Sequence, residues 1–222
     1  MKIKIAIASN NRFLTKTFDV FYSSLINASV PPEDIYIFNS GFEKRKDFKI
    51  GKSTYVELEH NSFEYSPLID IVENKIESEY WFLMHDTCKV GKNLYKLLIE
   101  KSNIFVNPLK IALKNKPSMS IGLYSYEYLL IHSIKIISLK NKDYSLDGLQ
   151  KQKQWGIDAE DYILWMTEGQ TENYTPKNNF ETINCDNWYG EKTHRIVEYY
   201  CELDLYKAKS NWTPKKWMEL NL

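Results

Sequence analysis

Residues 80–89 read YWFLMHDTCK, an apolar run that ends abruptly at His85 and Asp86. Apolar residues unbroken from Tyr80 to Met84 suit a strand buried on both faces, and a carboxylate just beyond such a strand emerges where an open parallel sheet meets its ligand crevice. The same carboxylate could serve as a turn residue or as the N-cap of the next segment. Its meaning depends on what the neighbouring strands bring to that edge.

The upstream chain repeats one rhythm. Lys2–Ala8 reads as a first strand, and Ser9, Asn10, Asn11 and Arg12 interrupt it before a helical pattern through Phe13, Thr17, Val20, Phe21 and Leu25. Such a turn offers backbone amides and a guanidinium at a helix N-terminus to a phosphate or a polar base edge. The glycine fingerprint of NAD-binding folds is missing from it. Pro31 and Pro32 end the helix, and Asp34–Asn39 (DIYIFN) is a second buried strand finishing in Asn39, Ser40 and Gly41. Glu43–Lys49 reads as a charged, solvated surface segment. Ser53–Leu58 (STYVEL) is a third strand followed by Glu59, His60 and Asn61, and Pro67 lies near the start of a helix running to about Ile76. Tyr80–Met84 is then the fourth strand, and the alternation predicts a mostly parallel sheet with crossover helices.

Beyond Asp86 the pattern is less regular. Lys92–Glu100 reads as a short helix, Ser118–Tyr126 as a strand, and Glu127–Leu139 fits either state, while Val106–Lys116 has no clear period. Asp143–Thr167 reads as one or two helices and contains QWGIDAEDY at 154–162. There Asp158, Glu160 and Asp161 follow Gly156, where a helix restarts. Acids in a first helical turn complement the helix dipole, and a general base beside Trp155 is the other reading.

A chain of 222 residues can bury a full core as a single domain. Lys plus Arg (29) balance Asp plus Glu (29), so no global field recruits nucleic acid or an acidic membrane, and an anionic ligand must be held locally. The three cysteines, Cys88, Cys185 and Cys201, are odd in number and lack CxxC spacing, against a disulfide framework or a structural zinc site. A reducing, cytoplasmic compartment is expected. The opening MKIKIAIASNN is too short in apolar residues for a signal or a membrane-spanning segment. Five of the six tryptophans lie at or beyond position 155. Rings with an apolar face and a polar edge are common where saccharides or partner surfaces are gripped, although core packing accounts for most aromatic residues.

The polar strand ends would together line one edge of the sheet with Arg12, the amides of Asn10, Asn11 and Asn39, His60, His85 and Asp86, an outline for a nucleoside diphosphate. The order of elements, the YWFLM strand ending in His85 and Asp86, and the later IDAEDY resemble GT-A glycosyltransferases, in particular small virus-encoded members of that class. The resemblance implies an α/β, Rossmann-like single domain with a mostly parallel central sheet flanked by helices, residues 1–90 holding the nucleotide and 91–222 the acceptor. It implies transfer of a sugar from a nucleotide-diphosphate sugar to a hydroxyl of a saccharide or glycoconjugate acceptor, with inversion and with Mn2+ or Mg2+.

By the same resemblance Asp86 binds metal and diphosphate, and His194 completes the metal's coordination. Glu160 and Asp161, with Asp158 close by, supply the base. Cys88 stands where the family usually has a second aspartate, and a thiol is a poor ligand for a hard cation. Ser9, Asn10, Asn11, Arg12, Asn39, His60, His85 and Arg195 are the remaining nucleotide-binding candidates. Arg195 could instead pair with Glu191 or Glu198, and His85 and His194 could be ordinary hydrogen-bonding residues. Two other classes fit parts of the pattern: a nucleotidyltransferase, which normally has more carboxylates at its metal, and a non-catalytic glycan- or protein-binding domain with the late tryptophans as its platform. Donor base, sugar, acceptor and oligomeric state carry no sequence signal.

Overall fold

The computed structural model describes residues 2–102, 109–113, 116–149, 151–152, 173–174, 178–184 and 194–209. In chain order the elements are β1 (Ile3–Asn10), α1 (Leu14–Asn27), β2 (Ile35–Ser40), β3 (Lys46–Ile50), β4 (Ser53–Leu58), α2 (Ser66–Glu73), β5 (Tyr80–His85), β6 (Cys88–Val90), α3 (Leu94–Ser102), β7 (Leu109–Leu113) and β8 (Lys116–Ser125). They continue as α4 (Tyr126–Ile131), α5 (Ser133–Ser138), β9 (Asn173–Tyr174), β10 (Asn178–Asn184), β11 (His194–Tyr200) and β12 (Leu205–Lys209).

Among the described residues the large sheet has eight strands, in the order β3-β4-β2-β1-β5-β8-β7-β9. Its centre, β4-β2-β1-β5, is parallel, with β3 and β8 added antiparallel on either side. The chain moves outward from β1 to β2 and β4, then returns to place β5 on the other side of β1. That reversal makes the gap between β1 and β5 a topological switch point, the place where open α/β sheets bind ligands.

Alternation along the central strands divides the core in two. Ile3, Ile5 and Ile7 of β1, Ile35 and Ile37 of β2, and Phe82 and Met84 of β5 face α1 through Leu14, Phe21 and Leu25. Ala6, Ala8, Phe38, Trp81 and Leu83 face the other way, onto Leu68, Ile69, Ile71 and Val72 of α2 and onto Leu129 and Ile136 of α4 and α5. Strands covered on both faces have no polar side to show, which is why β5 reads as a continuous apolar run. Trp81 is fully buried, packed edge-on against Tyr36 and Phe38 of β2.

The fold is thus a mixed α/β domain with a mostly parallel central sheet flanked by helices, as the alternation predicts. The open reading of 127–139 resolves as the helices α4 and α5, and β7 and the start of β8 occupy the stretch without a clear period. Two features differ from the sequence reading. The charged segment after Gly41 is not simply solvated: Lys46–Ile50 forms an edge strand on β4, and KDFKI is the charged composition that keeps an edge from pairing further. A second sheet, β10-β11-β12-β6, is antiparallel and starts within two residues of Asp86. Its residues Cys88, Val90, Leu205, Tyr200 and Leu203 pack into the α1-side core, and the Val90 amide donates to Ser24 Oγ of α1 at 3.1 Å.

Asp204, at φ +49°, closes the second sheet against α3: Oδ2 accepts from the Asn93 amide (3.0 Å) and side chain (3.1 Å), and Oδ1 from Tyr199 Oη (3.1 Å). Gly91 is required here, because a Cβ would stand 2.1 Å from that carboxylate. Among the described residues no helix is long and apolar enough to cross a membrane.

Candidate functional site

Parallel register carries one polar row across the carboxyl edge of the sheet on the α1 side. Asp86, one step past His85, follows β5; Ser9 lies on β1, Asn39 on β2, Glu57 on β4 and Lys46 on β3. Two residues back along each strand, on the same face, the row is Met84, Ile7, Ile37, Tyr55 and Phe48. Core gives way to hydrogen-bonding groups in a single step, and the step falls at the switch point.

Asp86 is half-buried there, and its carboxylate is held from two elements. Ser9 Oγ donates to Oδ2 at 2.6 Å, while Thr17 Oγ1 of α1 lies 3.2 Å from the same oxygen and 3.4 Å from Leu14 O, so its one proton serves either. Burial raises the carboxyl's pKa; the Ser9 hydrogen bond, the Lys207 ammonium, His85 and Thr17 act against it. Lys207, on β12, is 5 % exposed and donates to Thr87 Oγ1. Next to it in the ladder, Cys88 is buried in the apolar core, and that burial pushes its thiol up to about 11, so it stays protonated. In the same row Asn39 donates to Tyr55 Oη at 2.7 Å, and its own Oδ1 is buried without a hydrogen-bond partner among the described residues.

The α2 side of the edge holds a second cluster. Asn10 donates to Ser40 Oγ (3.1 Å) and Asn61 Oδ1 (2.8 Å) and accepts from the Arg12 amide (3.2 Å), fastening the ends of β1, β2 and β4 together. Asn61 reaches on to Asp143 O (2.9 Å), and Asn141 N donates to Ser62 Oγ (2.9 Å). His60 is fully enclosed, its Nδ1 paired with Ser62 Oγ at 2.9 Å; burial, with Lys140 and Lys142, lowers its pKa to about 3, so the ring is neutral. His85 Nε2 stands 3.1 Å from Glu64 Oε2, both residues being buried. At the rim, Asn11 Nδ2 donates to Gly41 O (2.6 Å) and Arg12 Nη2 to Tyr144 O (3.2 Å).

The sequence-derived residues therefore share one edge but not one face. Ser9, Asn39 and Asp86 form the α1-side row, Asn10, His60 and His85 the α2-side cluster, and Asn11 and Arg12 the exposed turn between them. His194 and Arg195 open β11, two strands from β6 in the second sheet and at the end of β11 nearer Asp86. Asp158, Glu160 and Asp161 lie outside the described residues. Among the described residues no three His, Cys, Asp or Glu side chains converge to hold a metal ion by themselves, so a divalent cation at Asp86 would take its remaining oxygens from phosphate and water.

Thr17, Thr87, Lys207 and Glu64 escaped the sequence reading. Two left a signal. Thr17 sits in the apolar stripe of α1 between Leu14 and Phe21, and Lys207 takes the inward phase set by Leu205 in a strand of period two.

No protein-family model matches this chain, and no curated protein matches it. Among solved structures 24 chains match. One is the crystal structure of a glycosyltransferase involved in the glycosylation of the major capsid of PBCV-1, 14% identical, aligned over 98% of this chain and 100% of that one, with a TM-score of 0.48.

Proposed function

We propose that this protein is a glycosyltransferase that takes its sugar from a nucleotide-diphosphate sugar. The observation that carries the reading is the Ser9–Asp86 hydrogen bond across the switch point, with the polar row beginning there. A nucleotide laid along that edge would meet Asn39 with its nucleoside half, since the buried Oδ1 needs a donor such as a base N–H or a ribose hydroxyl. Its diphosphate would lie toward Asp86, Arg12 and Arg195, which suits a pocket in a protein without net charge.

The transfer balances simply. An acceptor hydroxyl oxygen bonds to the anomeric carbon, the bond from that carbon to the diphosphate oxygen breaks with its electron pair leaving on the diphosphate, and the hydroxyl proton goes to a carboxylate. Asp161 is proposed as that base, with Glu160 and Asp158 beside it, and attack opposite the leaving group inverts the sugar. The first ninety residues would hold the donor and the remainder the acceptor.

Release of nucleoside diphosphate from UDP-, GDP-, dTDP- and ADP-sugars tests this. One donor should be turned over, Asp161→Asn should slow turnover by about a hundredfold or more while sparing donor binding, and Asp86→Ala should weaken donor binding. Full activity in Asp161→Asn would move the base to Asp158 or Glu160. Retention of saccharide by a protein that releases no nucleotide from any donor would make it a glycan-binding domain instead.

A further inference from the structure

A helix on the outside of a domain usually turns one apolar face inward and a polar face to water; α4 and α5 are apolar on both. The two run on from one another through His132, whose amide donates to Tyr128 O and whose carbonyl accepts from the Ile136 amide. Inward, Tyr128, Leu129, Ile136 and Leu139 complete the α2-side core. Outward, Leu130, Ile131, Ile134 and Ile137 are 43, 70, 85 and 36 % exposed, and their spacing of three and four puts them in one stripe. Other exposed large apolar residues, Ile26, Phe48 and Ile99, stand on separate elements. Single ones are ordinary on a protein surface, whereas a contiguous stripe marks a contact.

We infer that this stripe is an interface and that its partner is a second copy of this chain, packed antiparallel about a two-fold axis near Ile134. The stripe is self-complementary: such an axis sets Leu130 toward the partner's Ile137 and Ile134 toward its own copy. Charge is arranged in the same sense. Exposed Glu127 stands before the stripe and exposed Lys142 beyond it, neither in an ion pair among the described residues. Antiparallel copies bring acid to lysine at both ends, whereas parallel copies set like against like. An anionic bilayer would accept the aliphatic side chains but repel Glu127, and a chain without net charge has no field to bring it there. Beyond Ile137 the chain passes into residues 141–144, where Asp143 O and Tyr144 O accept from Asn61 and Arg12 at the edge of the candidate site. A copy that steadies α5 therefore steadies that rim.

Sedimentation velocity of the full chain across the micromolar range tests this. The unaltered protein should pass from monomer to dimer as its concentration rises, and Ile134→Asp should weaken the dimer by about tenfold or more. Phe48→Asp, which puts the same charge on an exposed apolar residue of β3, should leave the dimer unchanged. Glu127→Lys should weaken it several-fold, and Glu127→Lys with Lys142→Glu should recover most of the loss, because opposite charges meet again. Circular dichroism checks that the variants fold, and Ile131→Asp takes the place of Ile134→Asp if that one does not. A protein that stays monomeric at every concentration overturns the inference, as does a dimer that Phe48→Asp dissolves and Ile134→Asp does not. Loss of the dimer in Glu127→Lys without recovery in the double variant overturns the antiparallel arrangement. A monomer that sediments with phosphatidylglycerol vesicles, and ceases to in Ile134→Asp, would make the stripe a membrane surface instead.

Discussion

Ser9 Oγ donates to Asp86 Oδ2 at 2.6 Å, joining the ends of β1 and β5 across the point where the strand order reverses. A hydroxyl bond to a partly buried carboxylate is among the stronger hydrogen bonds of a protein, because the acceptor is charged and partly withdrawn from water. Here it fixes the rotamer of the residue on which the site is built.

Ser9→Ala should destabilise the fold by about 2 kcal/mol and Thr17→Val by about 1 kcal/mol, the smaller effect following from the longer contact and the proton shared with Leu14 O. Urea unfolding of the two variants and of the double variant checks this. Their effects should not add, because both act on one oxygen. Equal losses in the two single variants would show that Thr17 is committed to Asp86.

Acid should weaken the protein through His60. Its pKa is about 3 in the fold and near 6.5 when unfolded, so over that window the unfolded chain binds the extra proton. Stability is then fully present above pH 6.5 and falls by about 1.4 kcal/mol for each pH unit below it, until the folded ring itself protonates. Unfolding free energies between pH 4 and 7 should show this slope, and His60→Asn should flatten it. An unchanged slope in the variant would assign the acid sensitivity elsewhere.

Arg45, in the loop that follows β2, ties α2 to β3. It grips Asp70 of α2 with two bonds, 2.7 and 3.0 Å, and Asp47 of β3 with one of 2.8 Å. Asp70 is 2 % exposed, so Arg45→Met leaves a buried carboxylate without its cation and should cost about 3 kcal/mol. Arg45→Met with Asp70→Asn should cost less than Arg45→Met alone, a result readable from thermal unfolding.

Gly41 stands at φ +98°, and a Cβ there would lie 2.9 Å from Asn11 Oδ1. Gly41→Ala should therefore cost about 2 kcal/mol and displace the Asn11 side chain from Gly41 O. A crystal structure of the variant with Asn11 unmoved would contradict this.

The central strands were legible because each is an apolar run closed by polar residues, and burial on both faces leaves that pattern unbroken. The edge strand β3 was not, since charges on a sheet edge look like charges on a loop. The second sheet escaped for a different reason: β6 is only three residues long and its partner β12 lies more than a hundred residues away, beyond the reach of any local period. For the site, the row of strand ends could be read from sequence but not its division between two faces, which depends on whether a strand runs one residue further. Ser9 and Asn10, expected as turn, continue β1 and so point to opposite sides. Lys207 could be recognised only once its strand was known to lie beside the acidic turn.

The most direct test of nucleotide binding at the Ser9–Asp86 edge is the thermal shift given by UDP, GDP, dTDP, CDP and ADP to the unaltered protein and to Asp86→Ala. At a hundred times its dissociation constant a ligand adds about 2.7 kcal/mol, which moves the midpoint of a domain this size by several degrees. One diphosphate should raise the midpoint of the unaltered protein and leave that of Asp86→Ala where it was. An equal rise in both would place the nucleotide away from Asp86, and no rise with any of them would contradict the nucleotide reading.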